Sequence, residues 1–526
     1  MAITPETNIK LLKVPIEISN KNQLTFNDSN AQYNYFNSLP KIEIDSCSYQ
    51  RKDNILRFPA HIDSILQYNY CIYQNSNYSN KWFYAFITNM EYENDGLTNI
   101  TLKTDSFQTW QFDLNYKRSF IEREHVNNDD IGLHTVPENL NVGEVIEERE
   151  IEDTSLSDFA WVAISSSWNP ATGQQFSGIT VYNNLIFGNQ IHLIKASPIS
   201  NLVNLILYLY KTAGDGHIED INDIFIVPSA LINEGDLTLH SGSQGENTFS
   251  FYTLPFSESP ESFNIVISKQ HSFSGFSPKN NKCFVYPYNY LLVSNNIGNH
   301  NIYKYENFGG SNADFKVEVA ISVGCSGRLV PKSYKGKIQD DDEALPLAKY
   351  PTCGWSTDAY TNWLTQNAVN MPLKIVDTIL SPIQGLFSGG NAFSATTDTL
   401  NKVGNVIDNF YQGSLLPNIE GTQNTSDVNY SAGRNTFTFR CMRCKNEYLE
   451  TIDNYFSMFG YKVNVVKVPN IYGRQNWNYV KTIDCNITGD IPQIELQEIK
   501  EMFDSGLTLW HNASTFLDYS QSNTIV

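Results

Sequence analysis

No phosphate-binding loop occurs in the 526 residues: neither GxxxxGK[ST] nor a GxGxxG following a strand is present. Nucleotide-driven chemistry therefore has no motif to rest on. Charge is scarce, at 17% of residues, and the 56 acidic residues outnumber the 36 basic ones for a formal charge of −20. A field of that sign repels phosphate, which argues against sequence-specific capture of nucleic acid. Dense cysteine spacing is lacking as well. Eight cysteines lie scattered from Cys47 to Cys485, unlike the framework of a small secreted protein, and a reduced, cytosolic assembly is the simplest inference. Met1 to Ile18 carries Pro5, Glu6, Pro15 and Glu17 and no unbroken apolar core, so no secretory signal is expected.

Aromatics are abundant instead. Tyr and Phe number 30 each, and 41% of residues are hydrophobic, a load that suits half-buried pleated surfaces and excludes disorder of the whole chain. The length predicts about two to four cooperative units. Lys81 to Glu91 and Leu97 to Thr104, separated by Asn94-Asp95-Gly96, read as a β-hairpin in which Ile100 and Leu102 face a core. Short strands are expected again at Phe159 to Ile164, Asn264 to Ser268 and Phe315 to Val323. Helices are expected only late. Tyr448, Leu449, Ile452, Tyr455, Phe456 and Phe459 follow helical spacing up to Gly460, a strand Tyr461 to Val468 stops at Pro469, and Leu496, Ile499 and Phe503 mark a second helix ended by Gly506. The expected fold class is mainly β with an α+β C-terminal region.

Met371 to Gly433 differs from both flanks. No charge occurs from Thr378 to Thr397, a run of about 20 residues, which is the length scale of a bilayer span. Pro382, Gly385, Gly389 and Gly390 interrupt it, residues that a stable soluble helix avoids. Leu373, Val376, Leu380, Ile383 and Phe387 form an apolar stripe, and Leu400, Val403, Ile407 and Phe410 a second. Together with Ile379, Leu386 and Phe393, the first stripe is the candidate membrane-active surface. A helical hairpin buried in a domain core is the competing reading. The small residues and the polar linker Asn418 to Asn435 favour a segment stored in a confined space and delivered to lipid.

Other constellations have plainer readings. Cys441-Met-Arg-Cys444 lacks the further ligands that zinc requires, and reads as part of a strand. Asp340 to Glu343 lacks the pattern of a calcium loop and reads as a solvated run. Arg123, Glu124 and His125 suggest acid–base machinery, but no nucleophile accompanies them, and ion pairing at a subunit contact is preferred. No catalytic residue, cofactor or metal is expected, and no carboxylate pair for glycoside hydrolysis stands out.

Several runs resemble a known family. Asn80-Lys81-Trp82-Phe83-Tyr84-Ala85-Phe86, Gln108-Thr109-Trp110, Ser119-Phe120-Ile121 and Arg123-Glu124-His125-Val126 are similar to the tail knob, or distal tail tube, proteins of small picovirus-type podophages of Gram-positive bacteria. Gly460-Tyr461-Lys462, Asn478-Tyr479-Val480, Asp484-Cys485, Gly489-Asp490-Ile491, Leu496-Gln497-Glu498-Ile499, Phe503-Asp504, Gly506 and Thr508-Leu509-Trp510-His511 extend the match in the same order. The resemblance implies a non-enzymatic structural protein of the virion, assembled in the host cytoplasm. It implies a homo-hexameric tube at the tail tip, built from both terminal regions, that conducts DNA without reading its sequence. Further implied partners are the collar or tube above, a tip hydrolase or spikes, and the host cytoplasmic membrane, which hydrophobic loops plugging the lumen would breach during genome ejection. The expected organisation is 1–130 and 434–526 as two parts of a tube-forming domain, 131–364 as β-rich middle domains and 365–433 as the hydrophobic loop. An adsorption protein recognising host cell-wall carbohydrate is the alternative, motivated by the many Asn and Tyr residues.

Overall fold

The computed structural model describes residues 7–356, apart from short interruptions of which 209–220 is the longest, and residues 436–526. Strands dominate, as expected. Near the N-terminus seven strands form one sheet, with Thr7–Leu12, Tyr70–Asn75, Trp82–Asn94 and Leu97–Thr104 at its centre. The anticipated hairpin is present, with Ala85 opposite Thr104 and Asn94 opposite Leu97. Ile100 and Leu102 are buried against Phe83, Ala85 and Tyr73 in one cluster, each contributing about 1.5–3 kcal/mol by leaving water.

The expectation that helices appear only late is corrected. Ser29–Ser38 is helical, capped by the Asp28 carboxylate, which accepts from Ala31 N at 2.7 Å. Its Phe36 is fully buried, with ring centroids 4.9 Å from Tyr84 and 5.6 Å from Tyr70. Only Gln32 and Phe36 of this helix are buried, so its sequence lacks the apolar stripe by which a helix announces itself.

The late elements fall where the spacing puts them. Asn446–Phe459 is a helix ended by Gly460 at φ 63°, and Gln493–Ser505 is a helix ended by Gly506 at φ 95°. Both glycines occupy the left-handed region that side chains disfavour. The strand after the first helix, Tyr461–Lys467, pairs with Ser119–Glu124, which pairs on its other side with Trp477–Ile483. Asn22–Leu24 runs parallel to Leu507–Trp510 in the same five-stranded sheet. The two ends of the chain thus build one sheet. They share a core too, in which Trp477 and Trp510 pack with Leu12, Phe36 and Tyr70.

Phe437–Cys444 pairs with Val145–Asp153 on one side and Asn289–Ser294 on the other. The three expected middle strands are observed as Trp161–Ser166, Glu261–Ser268 and Asn312–Ser322. Their inward residues Trp161, Ala163, Ile265, Phe315 and Val317 meet Phe439 and Cys441 in the largest cluster. Among the described residues no helix is long and apolar enough to cross a membrane.

Candidate functional site

The candidate membrane-active residues Leu373, Val376, Ile379, Leu380, Ile383, Leu386, Phe387 and Phe393 lie outside the described residues, as do Asp340 to Glu343. The described polar cluster of most consequence is the joint where the strand Ser119–Glu124, the loop after it, the 279–289 segment, the helix Asn446–Phe459 and the strand Tyr461–Lys467 converge.

Its centre is Glu138, whose side chain has no exposure. Arg123 and Lys282 both form ion pairs with it, at 10% and 2% side-chain exposure. Lys462 N donates to the same carboxylate at 2.9 Å, and Arg123 Nη1 donates to the Gly460 carbonyl at 2.7 Å. One buried anion therefore holds two buried cations from distant parts of the chain. Burial lowers the Lys282 pKa to about 8, against the attraction of Glu138, which raises it. Removing a single partner from such a set leaves an uncompensated charge in a poorly solvated place.

Two aspartates complete the joint. Asp453, buried on the helix Asn446–Phe459, accepts from Lys279 N at 2.9 Å, from Asn280 N at 3.0 Å and from Asn280 Nδ2 at 2.9 Å. Asp129 accepts from Asn281 N at 3.0 Å and from the Tyr461 hydroxyl at 2.6 Å, and burial raises its pKa. Consecutive backbone amides of the 279–281 segment are thus clamped by carboxylates from two other segments.

Arg123, Glu124 and His125 are brought together here, but their reading as a subunit contact is corrected. They are 8%, 0% and 3% exposed, and the partners found for them lie in the same chain. Glu124 pairs with Lys467 at 2.5 Å and accepts from Asn470 N at 3.0 Å. His125 Nδ1 accepts from Tyr479 N at 2.8 Å, which assigns the ring proton to Nε2, donated to the Ser457 carbonyl at 3.1 Å. Burial, and then the charge of Arg474, push its pKa down to about 3. With its lone pair committed and water excluded, this histidine is unsuited to act as a general base.

Cys441 and Cys444 are both buried on one strand but belong to different cores, Cys441 with Phe439 and Phe315, Cys444 with Leu449 and Phe456. Residues three apart on a strand face opposite sides, so the pair cannot chelate one ion. No group of His, Cys, Asp or Glu among the described residues is arranged for a metal. A shallow depression of about 730 Å³ beside Phe120 and Ile483 is lined by Arg118, Asp484 and Cys485, with no second carboxylate and no histidine. Tyrosine count also proves a poor guide to surface, since Tyr70, Tyr288, Tyr303 and Tyr461 are fully buried.

The joint residues Glu138, Lys282, Asp129 and Asp453 were not singled out from sequence. Lys282, set beside Cys283-Phe284-Val285, carried the one usable signal, a cation in an apolar run that needs a buried partner.

Residues 256–524 match the family model described as Bacillus phage phi29 tail knob protein gp9, C-terminal domain, and residues 5–115 match the caudoviral major tail protein N-terminus. The tail knob protein gp9 of Bacillus phage B103 is 27% identical over 607 residues, covering 99% of this chain and 98% of the relative. That of phage phi29 is 24% identical over 599 residues, with coverage of 99% and 98%. The fold is similar to that of the bacteriophage C1 tail knob protein gp12, with a TM-score of 0.63 and 16% identity over 99% of this chain and all of that one.

Proposed function

The chain belongs to the phi29-type tail knob protein family, a structural component of the phage tail, and from that premise we propose that several copies of it form a tube at the tail tip through which DNA leaves the particle. The observation that carries this reading is the joining of the chain's ends: strands from residues 22–24, 119–124, 461–467, 477–483 and 507–510 form one sheet. A ring must hold its shape while a polymer is driven through it, and a sheet closed by the first and last parts of the chain, with the Glu138 joint behind it, resists being pulled open. The formal charge of −20 supports passage over retention, because a wall that bound phosphates would have to release them one by one.

In this proposal 1–130 and 434–526 supply the two parts of the tube, 131–364 the distal β-rich part, and 365–433 the segment that meets lipid. The apolar residues Leu373, Val376, Ile379, Leu380, Ile383, Leu386, Phe387 and Phe393 block the lumen until ejection and then enter the host cytoplasmic membrane. A six-copy ring and contacts with the tube above and with tip proteins belong to the same reading, and it involves no catalysis. The test is leakage of dye from anionic vesicles. Full-length protein is expected to release it, and a chain lacking Thr378 to Thr397 is not; equal leakage from both removes the membrane role.

A further inference from the structure

Two strand edges of this chain have no partner among the described residues, and their chemistry is complementary. The strand Trp82–Asn94 is paired on one side by Tyr70–Asn75, but only through Trp82 to Phe86. From Thr88 to Asn94 the only strand paired with it among the described residues is the returning strand Leu97–Thr104, and the His61 ring packs on Tyr92 at 5.6 Å, so this stretch forms an arm with one strand edge unpaired. Glu91 and Glu93 are exposed on it, and Tyr92 is 53% exposed. The other open edge is the strand Tyr461–Lys467, the last in the five-stranded sheet. Its start is covered, since Lys462 N is bound by Glu138. Beyond that point Val466 and Val468 are 52% and 50% exposed, and Phe120, directly opposite Val466, is 37% exposed. Exposed Arg118 donates to the Val466 carbonyl at 3.1 Å, so a guanidinium lies along this edge, and Lys467 is half-buried beside it.

Long open edges that carry apolar side chains invite pairing, and proteins that do not use them usually blunt them. We propose that the arm Thr88–Asn94 of one copy adds to the edge Val463–Val468 of a second copy, with Glu91 and Glu93 beside Arg118 and Lys467, and Tyr92 against Val466. The inference rests on the reading that the tail component contains several copies, and it names the surfaces that join them. Both edges are about as long as the strand additions by which extended segments are recognised. Charge selects the partner, for in a chain of net charge −20 copies otherwise repel, and a local basic edge facing an acidic arm overcomes that where it matters. Aromatic against β-branched is a favourable cross-strand pair. Because arm and edge are different surfaces of one chain, the contact is head-to-tail, and repetition closes a ring when the rotation permits.

The experiment is sedimentation of the full-length protein over a concentration series, with circular dichroism to confirm folding of each variant. Glu91→Lys with Glu93→Lys, and separately Arg118→Glu, should each weaken association by roughly 10- to 100-fold, as rim and interface charge reversals do. All three together should recover part of it, because the reversed charge at position 118 again opposes those at 91 and 93 while Lys467 is unchanged. Wild-type association in a folded arm or edge variant, or no recovery in the combined variant, overturns the pairing while leaving a multi-copy assembly intact. A wild-type protein that sediments as single copies at every concentration overturns the pairing and the tube alike.

Discussion

Glu138→Gln is the sharpest perturbation of the joint, because the carboxylate has no exposure and is shared by two cations that are themselves 10% and 2% exposed. Glutamine keeps the shape and one acceptor oxygen but presents an amide N–H₂ to a guanidinium or an ammonium. Breaking one buried pair costs about 3–5 kcal/mol, and the whole set is not additive, so we place the loss at the upper end of that range. At roughly 2–4 °C per kcal/mol for domains of larger size, thermal unfolding should begin on the order of 10 °C lower. The pH dependence carries a sign. Lys282 has its pKa lowered by burial to about 8 from 10.5, with Glu138 opposing the fall. A depressed cation contributes stability that is present above its ordinary pKa and lost as pH falls through the folded value. Without Glu138 the opposing support disappears and the pKa falls further, so this part of the variant's deficit should be largest well below pH 8 and vanish as pH rises past about 8, where the wild-type lysine has also lost its proton. Urea unfolding across that range, with Lys282→Met as companion, should give a coupling of at least about 1 kcal/mol between the two sites. A loss below about 0.5 kcal/mol in Glu138→Gln, independent of pH, would refute the claim that this carboxylate holds the joint.

Two other predictions concern the same scaffold. Gly460→Ala would place a Cβ against the carbonyl of Glu124 and the amide of His125, at φ 63°, so it should cost more than about 4 kcal/mol and yield little soluble protein; wild-type yield and stability would show that the tight approach of helix end to strand is not required. Asp105 caps Gln108 N at 3.1 Å, accepts from the Tyr70 hydroxyl at 2.9 Å, and is raised from 3.8 to about 6 by burial. A raised carboxyl contributes stability that is present below its ordinary pKa and lost as pH rises through about 6. Asp105→Asn should therefore remove a loss of about 3 kcal/mol between pH 4 and 7, seen as a flatter dependence of the urea midpoint on pH. Parallel curves for the two proteins would contradict it.

Legibility in the sequence followed locality. The helix Asn446–Phe459 was readable to its ends because its apolar spacing and its terminator, Gly460, lie within fifteen residues of one another. The hairpin Trp82–Asn94 to Leu97–Thr104 was readable because its turn is local. Ser29–Ser38 was not, since its stability comes from Asp28 and from Phe36 seated among Tyr70 and Tyr84, rings supplied by the sheet. The triplet Arg123-Glu124-His125 drew notice as charged neighbours, yet its meaning depends on Gly460, Lys467 and Tyr479, more than 300 residues away in the chain. Spacing carries no record of such closures. Composition did not separate the tyrosines by place, for Tyr70, Tyr288, Tyr303 and Tyr461 fill cores while Tyr92 and Tyr472 are exposed.

The direct test of the central claim is electron microscopy of the purified full-length protein. Rings whose wall encloses a central lumen wide enough for duplex DNA, filled in the full-length protein and open in a chain lacking Thr378 to Thr397, are the predicted result. Compact single particles without a lumen in either protein, at concentrations where the wild-type protein is fully folded, would contradict the account of this chain as the wall of a conduit.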